Sequence, residues 1–530
     1  MGKQVMRNVF QWIDKIAYFL LAVILFDCMA CGGGSYLKVR GIDIRMVWYG
    51  LFFLLSLPSV FRSLKKLLTN SYVVILILWL AWLIFCTVKG FRLGNDTNNI
   101  IAGLIGFASF GILPGALAVL TSKKRILGLM KLSVIATVFL AFQTIALAWM
   151  HNLDGEFLIR INPRFLEIEL GALSIVDQDL VRVFMRSHPL SILGCGSAVY
   201  LAVKAKGKLP FVLYCGAAAL GLLAAVLSFT RSLYLAVFVM VAFLLLMGLC
   251  VLKKAQRKRL MAGAAATVIL FAVFLVSLDA VFGTSILSYG VQRSVGYDMV
   301  TMLNTRFPNR LRVDLTPSPD EPYVLGGIPP KPIETVPGDT DPTKDTDTKP
   351  TETKPKPTKP TETKPKPTKP AETKPAETKP IETTPAPTVP PVDHNQISDD
   401  LRGATKAELM EKINQNLLVG NGMGVVLTVR ENKDGVNEYF YLDQIMKTGL
   451  IGIGLYMLPM ALMLVNLLFR KKKMEPDDVF LCSVWLAALL GVAVFSHFNP
   501  YLNGSNGIVL YCSTIAVLSE LNGKQQLFQK

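Results

Sequence analysis

The chain has 530 residues, of which 52% are hydrophobic and only 18% charged, and its formal net charge is +17. That composition is too apolar for a soluble protein with an ordinary surface. The basic excess does not require a nucleic-acid partner, because membrane orientation accounts for it.

In chain order, about twelve apolar runs approach the ~20 residues that a bilayer crossing needs. They fall near 13–33, 44–61, 72–89, 99–121, 128–150, 187–204, 210–229, 232–252, 260–283, 449–469, 478–497 and 504–520, the last being short. The first is not a simple cleavable signal, since further spans follow it. Cys31 follows Cys28-Met29-Ala30, which lacks the Leu of a lipobox, so no lipid anchor is expected. The other cysteines are scattered through apolar runs, where they read as small core residues. Cys28 and Cys31 read in the same way rather than as a redox pair.

Short loops rich in Lys and Arg face the cytoplasm. Arg62–Lys66, Lys123–Arg125, Lys204–Lys208, Lys253–Arg259 and Arg470–Lys473 alternate with less basic loops, and Lys3, Arg7 and Lys15 agree with them. The expected fold class is therefore an all-α polytopic membrane protein with about 12 transmembrane helices. Both termini should be cytoplasmic. Residues 1–283 should form spans one to nine, 284–440 one large extracytoplasmic loop, and 441–530 the last three spans. All four histidines (His151, His188, His394 and His497) then lie on or at the outer face.

Inside the loop, Thr348–Pro357 (TKPTETKPKP) is copied in Thr358–Pro367. Residues 335–392 are low-complexity, rich in Pro, Thr, Lys and Glu, and have nothing to bury, so disorder with polyproline character is expected. A tract of about 58 such residues would reach ~180 Å extended or ~40 Å as a flexible coil. The stretch 402–424 differs. Thr405-Lys406-Ala407-Glu408 reads as a capping box, and Leu409, Ile413 and Leu417 recur at helical spacing. The run continues into Leu418-Val419-Gly420-Asn421-Gly422-Met423-Gly424, a glycine turn that could let main-chain N–H groups approach a phosphate.

Three segments carry a resemblance. LLVGNGMG (417–424) followed by YFYLDQIMKTGLIGIGLYML (439–458) resembles the O-antigen ligase and polymerase superfamily, which shows a glycine-rich turn, then "HNxYLxxLxExG", then a glycine-rich start of a span. Leu227-Ser228-Phe229-Thr230-Arg231-Ser232 resembles that family's "SxSRxxxL" signature. Arg182-Val183-Phe184-Met185-Arg186-Ser187-His188-Pro189 resembles its "RxxGxFxxPN". Glu438 and Tyr439 stand where ligases of the family carry His and Asn.

The resemblance implies glycosyl transfer on the outer face, from a polyprenyl-diphosphate-linked oligosaccharide to a hydroxyl acceptor, with no cofactor and no metal. It implies polymerisation of a surface polysaccharide, in company with other cell-envelope assembly proteins. Arginine suits the diphosphate because its guanidinium binds oxyanions bidentately. Arg231 is the expected catalytic arginine and Glu438 the expected base, with His188 and His497 as alternatives. Arg182, Arg186, Arg402 and Arg430 are expected to bind substrate, as are Gly420 and Gly422. Asp43 is expected to pair with Arg45, and Asp27 to face the bundle interior because it is costly in lipid. Asp177 and Asp179 are expected to be solvated.

Two alternatives stay open: a ligase that attaches finished glycan to a lipid, wall or protein, and a transporter of polysaccharide or lipid-linked sugar. A transporter would show half-to-half repetition, whereas the large loop follows span nine rather than six. A membrane anchor for the Pro-rich tract is a third reading. Deleting Thr348–Pro380 is expected to leave membrane insertion and surface-glycan length unchanged if the tract is a spacer. Gel analysis of the glycan beside a blot for the protein checks this.

Overall fold

The computed structural model describes residues 2–32, 38–39, 42–154, 156–168, 170–177, 180–283, 286, 394–429, 437–470 and 474–522. The repeat, Arg430 and Asp179 lie outside the described residues. The chain divides into two units; the first, Met1–Gly326 with Asp393–Lys530, contains every element described below.

The first unit is a helical membrane bundle. Its elements are α1 (Gly2–Ala30), β1 (Lys38–Val39), β2 (Ile42–Asp43), α2 (Ile44–Arg62), α3 (Leu64–Leu68), α4 (Ser71–Arg92), α5 (Thr97–Ile105) and α6 (Ile112–Val119). There follow α7 (Lys123–Leu153), α8 (Phe157–Glu167), β3 (Gly171–Asp177), β4 (Leu180–Met185), α9 (Ser191–Lys204), α10 (Lys208–Leu227), α11 (Arg231–Val251) and α12 (Lys254–Phe282). After the large loop come α13 (His394–Gln415), α14 (Phe440–Arg470), α15 (Pro476–Ser496) and α16 (Ser505–Asn522). β3 and β4 form an antiparallel hairpin, Gly171 opposite Met185 and Ser174 opposite Arg182.

Among the described residues, nine helical segments are long and apolar enough to cross a membrane. The expected run at 99–121 is one of them, broken into α5, a 3-10 turn (Gly106–Gly111) and α6. α1, α9 and α16 fall outside that set: α1 carries Asp14, Lys15 and Asp27, and α9 has only 14 residues. Enclosure sorts the helices. The apolar window of α15 is 89% buried, against 17% for α2 and α12, so α15 is central and the other two peripheral. α4, α11, α12 and α14 turn Ile84, Phe238, Val276 and Phe469 outward, a surface suited to lipid rather than water.

Between bundle helices the hydrophobic effect is weak in lipid, so close packing of small residues takes its place. At the α7–α9–α10 junction a Cβ on Gly194 would strike Thr137, and one on Gly221 would come within 2.5 Å of the Cys195 Sγ. That approach lets the Ser133 and Ser197 hydroxyls bond at 3.0 Å.

Charged groups sort to the bundle ends. Asp14 pairs with Arg125, Lys66 with Glu520, Lys123 with Asp478 and Lys204 with Asp477. Asp14 lies on α1, the four cations in three of the basic segments, and Asp477, Asp478 and Glu520 at the start of α15 and the end of α16, so these pairs tie the basic segments to the ends of other helices. Asp43 pairs with Arg45 at 3.7 Å, and Asp27 is buried, both as expected.

Gly194→Val is expected to destabilise the protein by about 1–3 kcal/mol through overpacking. Gly216→Ala, where an added Cβ meets open space, should be neutral. Thermal unfolding in detergent distinguishes them.

Candidate functional site

The turn between α10 and α11 is held from β4. Arg182 Nε donates to the Ser228 carbonyl at 3.1 Å and Nη2 to Thr230 Oγ1 at 3.4 Å, with the guanidinium over the Phe184 ring. Within that turn the buried Phe229 adopts φ +43°, a left-handed conformation costly for a bulky residue. The bend lets α11 begin at Arg231, whose side chain is exposed. A cation in the first turn opposes the helix dipole, so the position is not one that helix stability selects.

Arg186 is also exposed, and its carbonyl accepts a hydrogen bond from the Tyr501 hydroxyl at 2.8 Å. Tyr501 lies in the turn linking α15 and α16. From the same turn Asn499 Nδ2 donates to Ser232 Oγ at 3.0 Å, next to Arg231. His497, at the end of α15, packs its ring against Tyr439 and Tyr441, the residues that follow Glu438. Glu438 itself pairs with Arg402 Nε at 3.3 Å. The 497–501 turn thus joins the segments carrying Arg186, Arg231 and Glu438. The sequence reading singles out only His497 in this turn; its dense His497-Phe498-Asn499-Pro500-Tyr501 run is the available signal.

Three expectations change. His188 is fully buried, and its ring is a structural tie. Nδ1 accepts from the Met185 N–H at 2.9 Å, and Nε2 lies 3.0 Å from Thr144 Oγ1, which donates to the Leu140 carbonyl at 2.8 Å. The ring is therefore the neutral Nε2–H tautomer with no lone pair left for a proton. It cannot serve as the base.

The glycine turn does not present free donors either. Gly420 N–H bonds to the Asn416 carbonyl, Asn421 N–H to Met446, Gly422 N–H to Lys447 and Met423 N–H to Cys86. Gly420, Gly422 and Gly424 have φ of +76°, +87° and +82°, and each presses on neighbouring backbone or side chain. A Cβ on Gly422 would come within 2.7 Å of the Gly90 nitrogen. These glycines permit close packing against α4, α5 and α14 and leave Gly420 and Gly422 no phosphate to hold. Lys89 Nζ donates to the Gly420 carbonyl at 2.6 Å, and Asn95 to the Met423 carbonyl at 2.8 Å.

The expected capping box is also corrected. α13 starts at His394, so Thr405 lies inside it and donates its hydroxyl to the Leu401 carbonyl. Glu408 instead reaches the later strand of chain, accepting from Thr428 N–H, Thr428 Oγ1 and Val429 N–H at 2.7–2.9 Å. Partial burial pushes its carboxyl up, but those donors and Lys412 outweigh it and hold the pKa below the usual value. The stabilisation is present above the ordinary carboxylate range and is lost as pH falls through the lowered pKa.

Sequence reasoning missed a buried ion pair. Lys447 Nζ lies 2.7 Å from Asp443 Oδ2, the side chains being 2% and 0% exposed. Asn437 Nδ2 donates to Asp443 Oδ1 at 2.6 Å, and the Asp443 N–H donates to the Tyr439 carbonyl at 2.8 Å. Both residues flanking Glu438 are thereby fixed. Their i,i+4 spacing at the start of an apolar run was the signal. Among the described residues no group of three or more His, Cys, Asp or Glu side chains could hold a metal ion.

Lys447→Met alone is expected to destabilise by about 3–5 kcal/mol, since it strands a buried carboxylate. Adding Asp443→Leu should recover most of the loss, and unfolding midpoints of the single and double variants check it.

No family model, curated protein or solved structure matches this chain.

Proposed function

We propose that the protein is a membrane glycosyltransferase that polymerises a surface polysaccharide from polyprenyl-diphosphate-linked oligosaccharides. In this reading about twelve segments cross the cytoplasmic membrane. The ion-paired basic segments face the cytoplasm, in keeping with the positive-inside bias, and the large loop lies outside.

The observation that carries the reading is the joining of three motif-bearing segments by one turn. Exposed Arg231 stands at a helix N-terminus, where main-chain N–H groups and the helix dipole favour an anion. Arg182 holds the turn from behind, and Arg186 stands exposed on the linked segment. A guanidinium there suits the oxygens of a diphosphate leaving group, whose negative charge grows as the glycosidic bond breaks. The acceptor hydroxyl oxygen bonds to the anomeric carbon, the bond from that carbon to the diphosphate oxygen breaks, and the hydroxyl proton passes to a base. Glu438, part-exposed and fixed on both sides by Asp443, is the assigned base. The carboxylate at Glu438, where ligases of the resembled superfamily carry His, favours polymerisation over ligation.

Arg231→Ala is expected to lower glycan polymerisation by roughly 10²-fold, the scale of losing one transition-state donor. Arg231→Lys should fall between, because an ammonium is a point charge without the bidentate fork. The check is chain-length analysis of the surface glycan at matched protein level. Single repeat units accumulating on the lipid carrier support polymerisation, and long chains left on the carrier indicate ligation instead. Unchanged length and attachment would sink the transferase reading.

A further inference from the structure

Around His497 and Phe498, at the start of the 497–501 turn, aromatic rings gather beside an acid and a guanidinium. His497 packs edge-on against Phe498 at 4.7 Å and contacts Tyr441 at 6.0 Å and Tyr439 at 6.5 Å. The Tyr441 hydroxyl donates to the Ala493 carbonyl at 2.8 Å, which fixes that ring. Phe498 is 46% exposed, His497 is exposed, and Tyr439 is half-buried. Glu438 and Arg402 adjoin this cluster with side chains 33% and 51% exposed.

Aromatic side chains also form belts at membrane borders, with an apolar body in lipid and a polar tip in water. A belt has no use for a carboxylate–guanidinium pair, which is costly near lipid. A phosphate is disfavoured by Glu438. A pyranose matches all the groups: its flat C–H face rests on rings, its hydroxyl hydrogens are accepted by a carboxylate, and its hydroxyl oxygens accept from a guanidinium.

We propose that Tyr439, His497 and Phe498, with Glu438 and Arg402, form a saccharide-binding subsite for the acceptor end of the glycan. The word acceptor rests on the transferase reading; the affinity for a pyranose does not. Asn499, bonded to Ser232 beside Arg231, links the turn that carries these rings to the segment that carries Arg231.

The test uses the full chain in lipid nanodiscs and saturation-transfer NMR. The probe is the repeat-unit oligosaccharide freed by mild acid from the producing cell's own lipid-linked glycans. Saturation of the protein's aromatic protons is expected to reach the sugar C–H protons. Tyr439→Leu and Phe498→Leu should each weaken binding roughly two- to tenfold, the range for losing one ring contact. Tyr439→Phe should retain binding, and Arg402→Gln should weaken it without touching the rings. Unfolding midpoints equal to wild type show that each variant is folded. Absence of transfer in the wild type, or wild-type affinity in both Leu variants, would overturn the subsite and leave the rings a membrane belt. Arg231→Ala should lose polymerisation while keeping saccharide binding, so failure of the transferase reading and failure of the subsite are separable.

Discussion

Everything near the candidate site depends on how main-chain groups are satisfied where α14 breaks. Gly449 takes φ +70° and ψ −178° inside an otherwise helical segment. A break in a helix frees amide and carbonyl groups that must find other partners. The chain after α13 serves them instead: Leu450 and Ile451 donate to the Leu417 and Leu418 carbonyls, while Asn421 and Gly422 donate to Met446 and Lys447. The Trp82 indole takes the Thr448 carbonyl at 2.8 Å. The glycine turn is thus a clamp that completes a broken helix. Its glycines are needed because side chains at those positions would meet backbone.

The clamp has a consequence for chemistry. It fixes the short first half of α14, which carries Asp443 and Lys447, and this pair then fixes Asn437 and Tyr439 around Glu438. A buried ion pair is weak evidence for stability, since desolvation offsets much of its attraction. Here it ties down a segment that would otherwise be an exposed loop end. The arrangement holds Glu438 by its neighbours, and its own side chain pairs with Arg402.

The same separation of holding and presenting recurs around α11. Arg182 spends its guanidinium on the 228–230 turn, and His188 spends both ring nitrogens on Met185 and Thr144. Arg231 and Arg186 are presented outward. Residues of like chemistry in neighbouring motifs therefore have different tasks, and burial sorts them. The 497–501 turn gathers the presented groups because Asn499 and Tyr501 bond to two of those segments and His497 packs on the third.

The helical membrane character was legible in the chain because apolar length alone decides it. The sorting of basic segments to helix ends was legible too, since a charge is costly in lipid and must collect at an end. The pairing of Asp43 with Arg45 needed only their nearness in sequence. Tertiary structure alone decided that His188 is a tie, that Gly420 and Gly422 are a clamp, and that Thr405 lies mid-helix. It also decided that the short turn after α15 is the meeting point. Those outcomes depend on which main-chain groups remain unsatisfied after folding, and a sequence states donors and acceptors without stating who is left over. Local composition therefore determined what each segment could be, while long-range hydrogen bonding determined which polar residue was spent on structure and which stayed available for work.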